Sequence, residues 1–156
     1  MITVWRIVTR RFVTSAFSGE GARLFGGRWN RKGWPVVYTA QSRSLALLEM
    51  MVQDDPLRAR YALIPATLSL PVSLRELNIS ELGANWRALS ARDELQAIGH
   101  DWLQKRETCV LSVPSAVVPA ERNFLINPLH PDFAKISIGE PEFLETDVRL
   151  LRGALG

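Results

Sequence analysis

The chain has 156 residues, 47% of them hydrophobic and 22% charged. This size and composition point to one globular domain over residues 1–156 and exclude disorder, collagen-like repeats and coiled coils. Nineteen Lys and Arg against sixteen Asp and Glu leave a net charge of +3, which mildly favours an anionic ligand without demanding nucleic acid, while one Cys and two His exclude a zinc finger, a Cys-X-X-Cys redox site and a disulfide framework.

Residues 3–8 are rich in β-branched and aromatic side chains and read as a strand with Arg6 inside it. Residues 15–33 hold five glycines at low apolar density, the pattern of a long loop that needs unusual dihedrals or close approach to something. Residues 35–39 form a short buried strand, after which Ser42 or Ser44 caps a helix running to about Val52. Residues 60–70 supply a further strand or two, interrupted or edged at Pro65. Across 93–105, Leu95, Ile98, Trp102 and Leu103 recur at helical spacing, with Gly99 on the packed side. A strand over 108–113 ends at Pro114-Ser115, residues 124–131 read as a proline-punctuated corner, and 135–138 and 147–151 are the final strands. Strands outnumber helices and do not alternate with them regularly, so the expected class is α+β with a few flanking helices rather than a doubly wound parallel sheet.

No segment reaches the roughly 18 apolar residues of a membrane span. Residues 1–9 read as a strand rather than a signal peptide, and the lone Cys fits a reducing compartment, so no membrane association and a cytoplasmic location are expected. Spacing removes several chemistries. Gly19-Glu-Gly21 meets Leu24 where a dinucleotide fingerprint needs its third Gly, and neither a phosphate loop of the G-x-x-x-x-G-K-[ST] type nor a G-x-S-x-G elbow occurs. His100 and His130 lie far apart with no Cys companion, so no metal is expected. Cys109 sits in an apolar strand, where a structural thiol outweighs a nucleophile paired with His130.

Five polar residues stand out in apolar or glycine-rich settings: Arg6, Arg28, Tyr38, Glu49 and Ser115. Glu49 is the sharpest, because it is the one residue in 45–52 that is not apolar. A desolvated carboxylate needs a charged partner or a function, so Glu49 is either half of a buried salt bridge, a solvent-facing position or a catalytic group. Arg28 follows Gly26-Gly27, where bare amides and a guanidinium together suit a phosphate, or else it is a solvated loop residue. Tyr38 fits either a core or a ligand platform, and Ser115 either a turn or a donor.

Five ordered segments resemble the RES domain: Phe17-Ser-Gly-Glu-Gly-Ala with Gly26-Gly-Arg-Trp-Asn30, Val36-Val-Tyr-Thr-Ala40, Leu45-Ala-Leu-Leu-Glu49, Val113-Pro-Ser-Ala-Val-Val-Pro119, and Asn123-Phe-Leu-Ile-Asn-Pro-Leu-His-Pro131. The resemblance implies a toxin of a bacterial type II toxin–antitoxin module, a split β-core similar to that of ADP-ribosyltransferases, and NAD bound as substrate in its cleft. Carried onto this chain, it makes Arg28, Tyr38 and Glu49 catalytic, and Arg6, Arg28, Tyr38 and Ser115 the NAD-binding set, with Ser112 the alternative to Ser115 as motif serine. Glu49 would stabilise the cation formed when nicotinamide leaves, Arg28 and Arg6 would hold the pyrophosphate, Tyr38 would pack on the nicotinamide, and Ser115 would donate to a phosphate or to the acceptor. The acceptor stays open: water gives a glycohydrolase, inorganic phosphate a phosphorylase, and a protein side chain a mono-ADP-ribosyltransferase. A non-catalytic module binding NAD or nucleic acid is the competing reading, although three separated Lys argue against direct nucleic-acid contact. An Xre-like antitoxin is the implied partner. Phe143, Leu144, Leu150 and Leu151 are candidates for that contact or for a homodimer within the complex.

Overall fold

The computed structural model describes residues 1–56 and 58–151. Its strands are β1 (Ile2–Thr9), β2 (Val37–Ala40), β3 (Tyr61–Leu68), β4 (Leu74–Glu76), β5 (Val110–Pro114), β6 (Arg122–Ile126), β7 (Ser137–Ile138) and β8 (Glu142–Leu144), and its α-helices are α1 (Glu20–Phe25), α2 (Arg43–Gln53) and α3 (Arg92–Lys105). The strands form one sheet in the order β4-β5-β6-β2-β1-β3-β7, with β8 also beside β3. The class is α+β, as the strand-rich order of elements predicts.

The sheet is continuous on either side and thin in the middle. β1 pairs with β3 along its whole length, from Ile2 opposite Leu68 to Thr9 opposite Tyr61, and β2 pairs with β6 from Val37–Ile126 to Ala40–Asn123. Between β1 and β2 the single register pair is Trp5–Ala40. Beyond it the strands diverge, and the opening becomes a cleft of about 560 Å³ lined from β1 by Trp5, Arg6 and Ile7 and from β2 by Tyr38, Thr39 and Ala40.

Period-two side chains divide the core. Val110, Phe124 and Ile126 pack with Val4 and Ile64 on one face, whereas Leu111, Val113 and Leu125 meet Leu95, Trp102 and Leu103 of α3 on the other. A third group, Trp5, Ala40, Leu45, Ala46 and Leu63, seats α2 on β1. Ser42 caps α2 by accepting from the Leu45 N–H at 3.1 Å. Gly99 is required on α3, because a Cβ there would stand 1.7 Å from the Trp29 carbonyl oxygen.

Four expectations need correcting. The glycine-rich stretch is not a plain loop: a 3₁₀ turn (Arg10–Ser15) ends where it begins, and α1 follows, bracketed by Gly19 and Gly26 at φ of 73° and 72°. Of the two readings for Pro65, interruption fails and the edge position holds. Its carbonyl accepts from Gly139 on the edge side, so the missing N–H also faces that edge, between β8 at Tyr61–Leu63 and β7 at Ala66–Thr67, where no ladder bond is lost. The proline-punctuated corner begins only at Asn127, because Phe124, Leu125 and Ile126 belong to the central strand β6 and are buried on both faces. Residues 147–151 are not a strand. Asp147 accepts from the Arg149 N–H at 2.9 Å and winds Val148–Leu151 into a 3₁₀ turn, while the strand sequence reading missed, β8, lies just before it. In β8, Phe143 is exposed beneath the Arg10 guanidinium at 4.3 Å, and Leu144 packs on the α2 core. Leu150 is partly exposed, and the Leu151 side chain lies outside the described part. Among the described residues, no helix is long and apolar enough to cross a membrane.

Candidate active site

Every sequence-nominated residue except Ser112 and Ser115 lines the cleft directly. Glu49 enters from α2, one turn beyond the buried Leu45–Ala46 pair that anchors this helix. Its Oε2 accepts from the Ser115 hydroxyl at 2.8 Å and its Oε1 from the Asn123 side-chain amide at 2.8 Å. No Lys, Arg or His among the described residues forms an ion pair with it. Burial pushes the carboxyl above the usual range, the two hydrogen bonds pull it back, and Glu121 and Arg28 act in opposite directions. Of the three readings open for Glu49, the salt-bridge reading is thereby removed.

Ser115 is fully buried at the exit of β5. Its oxygen accepts from the N–H groups of Val117 and Val118, both at 3.2 Å, so the acceptor side is occupied and its one proton points at Glu49. This geometry makes Ser115 a support for the carboxylate and leaves no hydroxyl proton for a bound phosphate, unlike the donor role expected above. Ser112 lies elsewhere, accepting from Arg122 Nε at 3.0 Å. Asn123 opens the Asn123–Pro131 motif, and its role does not follow from the sequence. Its amide also donates to the Thr39 carbonyl at 3.2 Å, so it locks Glu49 to β2. The available signal was one amide opening an otherwise apolar run.

Arg28 sits half-buried in the loop after α1, and three side chains, Tyr38, Asn30 and Gln96, shape that loop. The Tyr38 hydroxyl accepts from the Trp29 N–H at 3.1 Å and donates to Asn30 Oδ1 at 2.5 Å. The Asn30 amide in turn donates to the carbonyls of Ala22, Arg31 and Trp34. From α3, the Gln96 amide donates to the carbonyls of Gly27 and Asn30 at 2.8 and 3.1 Å, on either side of Arg28. Gly27 has no room for a side chain, since a Cβ would approach the Tyr38 oxygen at 2.6 Å. Burial also pushes the Tyr38 phenol well above its ordinary value, so it stays protonated and its ring forms part of the cleft wall.

Arg6 does something else. Its Nε donates to the Ala16 carbonyl at 2.8 Å and its Nη1 to the Tyr38 carbonyl at 3.1 Å, spanning the seam where β1 and β2 part. Burial lowers it to about 10, so it remains a cation near neutrality. Cys109 is fully buried, its thiol donates to the Asn127 carbonyl at 3.8 Å, and burial pushes it up to about 12. His130 Nδ1 accepts from the Asp132 N–H at 3.0 Å instead, so the two do not form a dyad. Groups of three or more His, Cys, Asp or Glu able to hold a metal are absent among the described residues.

The family model described as the RES domain matches residues 3–147. A protein named Toxin Res from Yersinia enterocolitica is 37% identical over 150 residues, covering 94% of this chain and 98% of its own. Another Toxin Res, from Photorhabdus laumondii subsp. laumondii, is 39% identical over 135 residues and 85% of each chain. A protein named Prs ADP-ribosylating toxin, from a Sphingobium species, is 36% identical over 156 residues, 96% of this chain and 97% of its own. Among solved structures, the M. tuberculosis MbcT–MbcA toxin–antitoxin complex contains a chain that matches with a TM-score of 0.76 at 20% identity, over 92% of this chain and 84% of that one, a likeness of fold.

Proposed function

The chain belongs to the RES domain family, and from that premise we propose that it is the toxin of a toxin–antitoxin module and cleaves the bond between ribose and nicotinamide in NAD. The observation that carries this reading is Glu49: a carboxylate pushed up by burial, held by two neutral donors without an ion pair among the described residues, and facing a cleft large enough for a nucleotide. A group of that kind suits a cation that exists only during reaction.

The chemistry follows from the side chains. As the glycosidic C–N bond breaks, its electron pair passes to the pyridinium nitrogen and nicotinamide departs neutral, so departure needs no general acid. The ribosyl fragment becomes an oxocarbenium-like cation, which the Glu49 carboxylate stabilises as carboxylates do in glycoside hydrolysis. Ser115 and Asn123 fix both oxygens, so the charge is aimed before substrate arrives. Arg28 takes phosphate oxygens from a loop whose backbone is clamped by Tyr38 and Gln96, and the Tyr38 ring offers a flat surface to the nicotinamide.

An acceptor then attacks the cation. We rank NAD degradation, by phosphate or water, as the first reading. Transfer of ADP-ribose to a protein is the second, favoured by the relative named an ADP-ribosylating toxin. Restraint by an antitoxin, expected to be Xre-like, is part of the proposal and draws on the fold shared with a chain of a toxin–antitoxin complex. Purified protein incubated with NAD, with and without inorganic phosphate, tests the reading by mass spectrometry of the products. Release of nicotinamide that requires no protein acceptor supports degradation, and ADP-ribose attached only to an added protein supports transfer. A folded protein that binds NAD and releases no nicotinamide under either condition leaves the passive binding module.

A further inference from the structure

Arg28, which lines the cleft, and its neighbours Arg87 and Arg92 lack carboxylate partners among the described residues. Arg28 Nη1 donates to the Arg87 carbonyl at 3.4 Å, and Arg87 Nε donates to the carbonyl of Ala116, itself a cleft residue, at 2.7 Å. Arg92 opens α3 one turn before Gln96, which grips the carbonyls on either side of Arg28, and Gly99 lies a further turn along, against Trp29. Positions 92, 96 and 99 share a helix face, so Arg92 is presented on the side of α3 that packs on the Arg28 loop. None of the three guanidiniums forms an ion pair with a carboxylate among the described residues. Their proximity is felt electrostatically: after burial, Arg92 and then Arg87 lower Arg28. Like charges gathered without an acid partner raise the local potential for an incoming anion.

We propose that Arg87 and Arg92 complete, with Arg28, a diphosphate subsite on the cleft rim that holds the pyrophosphate of a dinucleotide whose ribosyl end lies at Glu49. The inference rests on the NAD reading above and moves the pyrophosphate away from Arg6, two of whose N–H groups are already committed to the Ala16 and Tyr38 carbonyls. Three planar forks match two adjacent phosphates better than point charges do, because each fork meets two oxygens at once. Arg28 would hold the inner phosphate from its clamped loop. Arg87 and Arg92, both exposed, would close on the outer one.

The experiment separates this subsite from the cleavage chemistry. Calorimetry on the full chain would measure ADP-ribose binding at two salt concentrations, and kinetics would compare NAD with nicotinamide riboside, which carries the same scissile bond and no phosphate. The Arg87→Ala/Arg92→Ala variant is expected to bind ADP-ribose at least ~10-fold more weakly and with a shallower salt dependence. Its loss of kcat/KM on NAD is expected to exceed its loss on nicotinamide riboside by a similar factor, carried by KM. Arg87→Lys/Arg92→Lys, which keeps charge and loses the fork, should fall between wild type and the alanine variant, and it serves as the test if the alanine variant does not fold. Equal ADP-ribose affinity in wild type and variant, or equal losses on the two substrates, would overturn the subsite. A wild-type protein that cleaves neither substrate yet loses ADP-ribose affinity in the variant would instead sink the cleavage reading and leave the subsite standing.

Discussion

Two acids, each held by a serine, lie in different parts of the fold, one on α2 and one in the 3₁₀ turn Pro131–Lys135, and are treated in opposite ways. Asp132, in the corner after β6, accepts from the Ser73 hydroxyl at 2.7 Å, the Ser73 N–H at 3.0 Å and the Lys135 ammonium at 3.0 Å. Those donors hold it far below the ordinary carboxylate range. Glu49 accepts from a serine and an amide at similar distances, has no ammonium or guanidinium among the described residues in ion-pair contact, and is shifted the other way. A hydrogen-bonded carboxylate is therefore not in itself a mark of function. The informative feature is a half-buried charge with no balancing cation among the described residues, since a structural acid has no reason to forgo one.

Glu49→Gln is the severest test of this contrast. Nicotinamide release should fall by ~10² to 10³ fold, the scale on which aimed electrostatic groups act, with a thermal midpoint close to wild type because the removed charge was disfavoured by burial. Turnover near wild type in a folded variant would put Glu49 in the same class as Asp132.

Ser115→Ala should cost less, roughly tenfold, as expected for one hydrogen bond to a charged group. It should also displace the acidic limb of the rate–pH profile. Burial pushes the Glu49 carboxyl above its ordinary value, so that limb is expected above the usual glutamate range. Loss of a donor that favours the ionised form moves it higher still. A profile with reduced height and an unmoved limb would show that Ser115 acts through folding alone.

Gln96→Ala loosens the loop on both sides of Arg28 and should raise KM for NAD several-fold, an effect smaller than truncating a contact with the substrate. In an Arg28→Lys background the same change should have little further effect, because the loop then presents no fork to aim. Additive losses in that double variant would detach Gln96 from Arg28.

Asp132→Asn should leave NAD turnover within about twofold, as a substitution away from the cleft, and lower the thermal midpoint by several degrees. The sign with pH is fixed by the downward shift: the stabilisation from Asp132 is complete above its ordinary value of 3.8 and is lost as pH falls through its lower folded value. The gap between variant and wild type should accordingly close toward acid. A drop in turnover at constant stability would mean that the corner, too, takes part in the chemistry.

The contrast also explains what could be read in the sequence. Runs of β-branched and apolar residues locate β1 and β2, a serine cap and helical spacing locate α2 and α3, and a lone Glu among apolar neighbours marks position 49. They failed where tertiary context decides. Phe124–Ile126 looks like part of a turn because two prolines follow closely, but burial on both faces erases the alternation that marks a strand. β8 is three residues long and exists only against β3. The roles of Asn123 and Gln96 depend on strand register and on a helix lying beside a loop, which no local pattern records. Ser115 was named, but its direction of donation depends on two backbone N–H groups made available by the turn after β5.

The seam between β1 and β2 gives the cleft an unusual kind of adjustability. In most sheets the distance between neighbouring strands is fixed by backbone ladder bonds that no substitution can alter. Here, past Trp5–Ala40, one guanidinium reaching from Arg6 to the Tyr38 carbonyl ties the two walls together. The width of the slot is thus written in a side chain. A side chain of different length or with fewer donors at that position is expected to change the width of the slot, while Glu49 and the loop that carries Arg28 stay as they are.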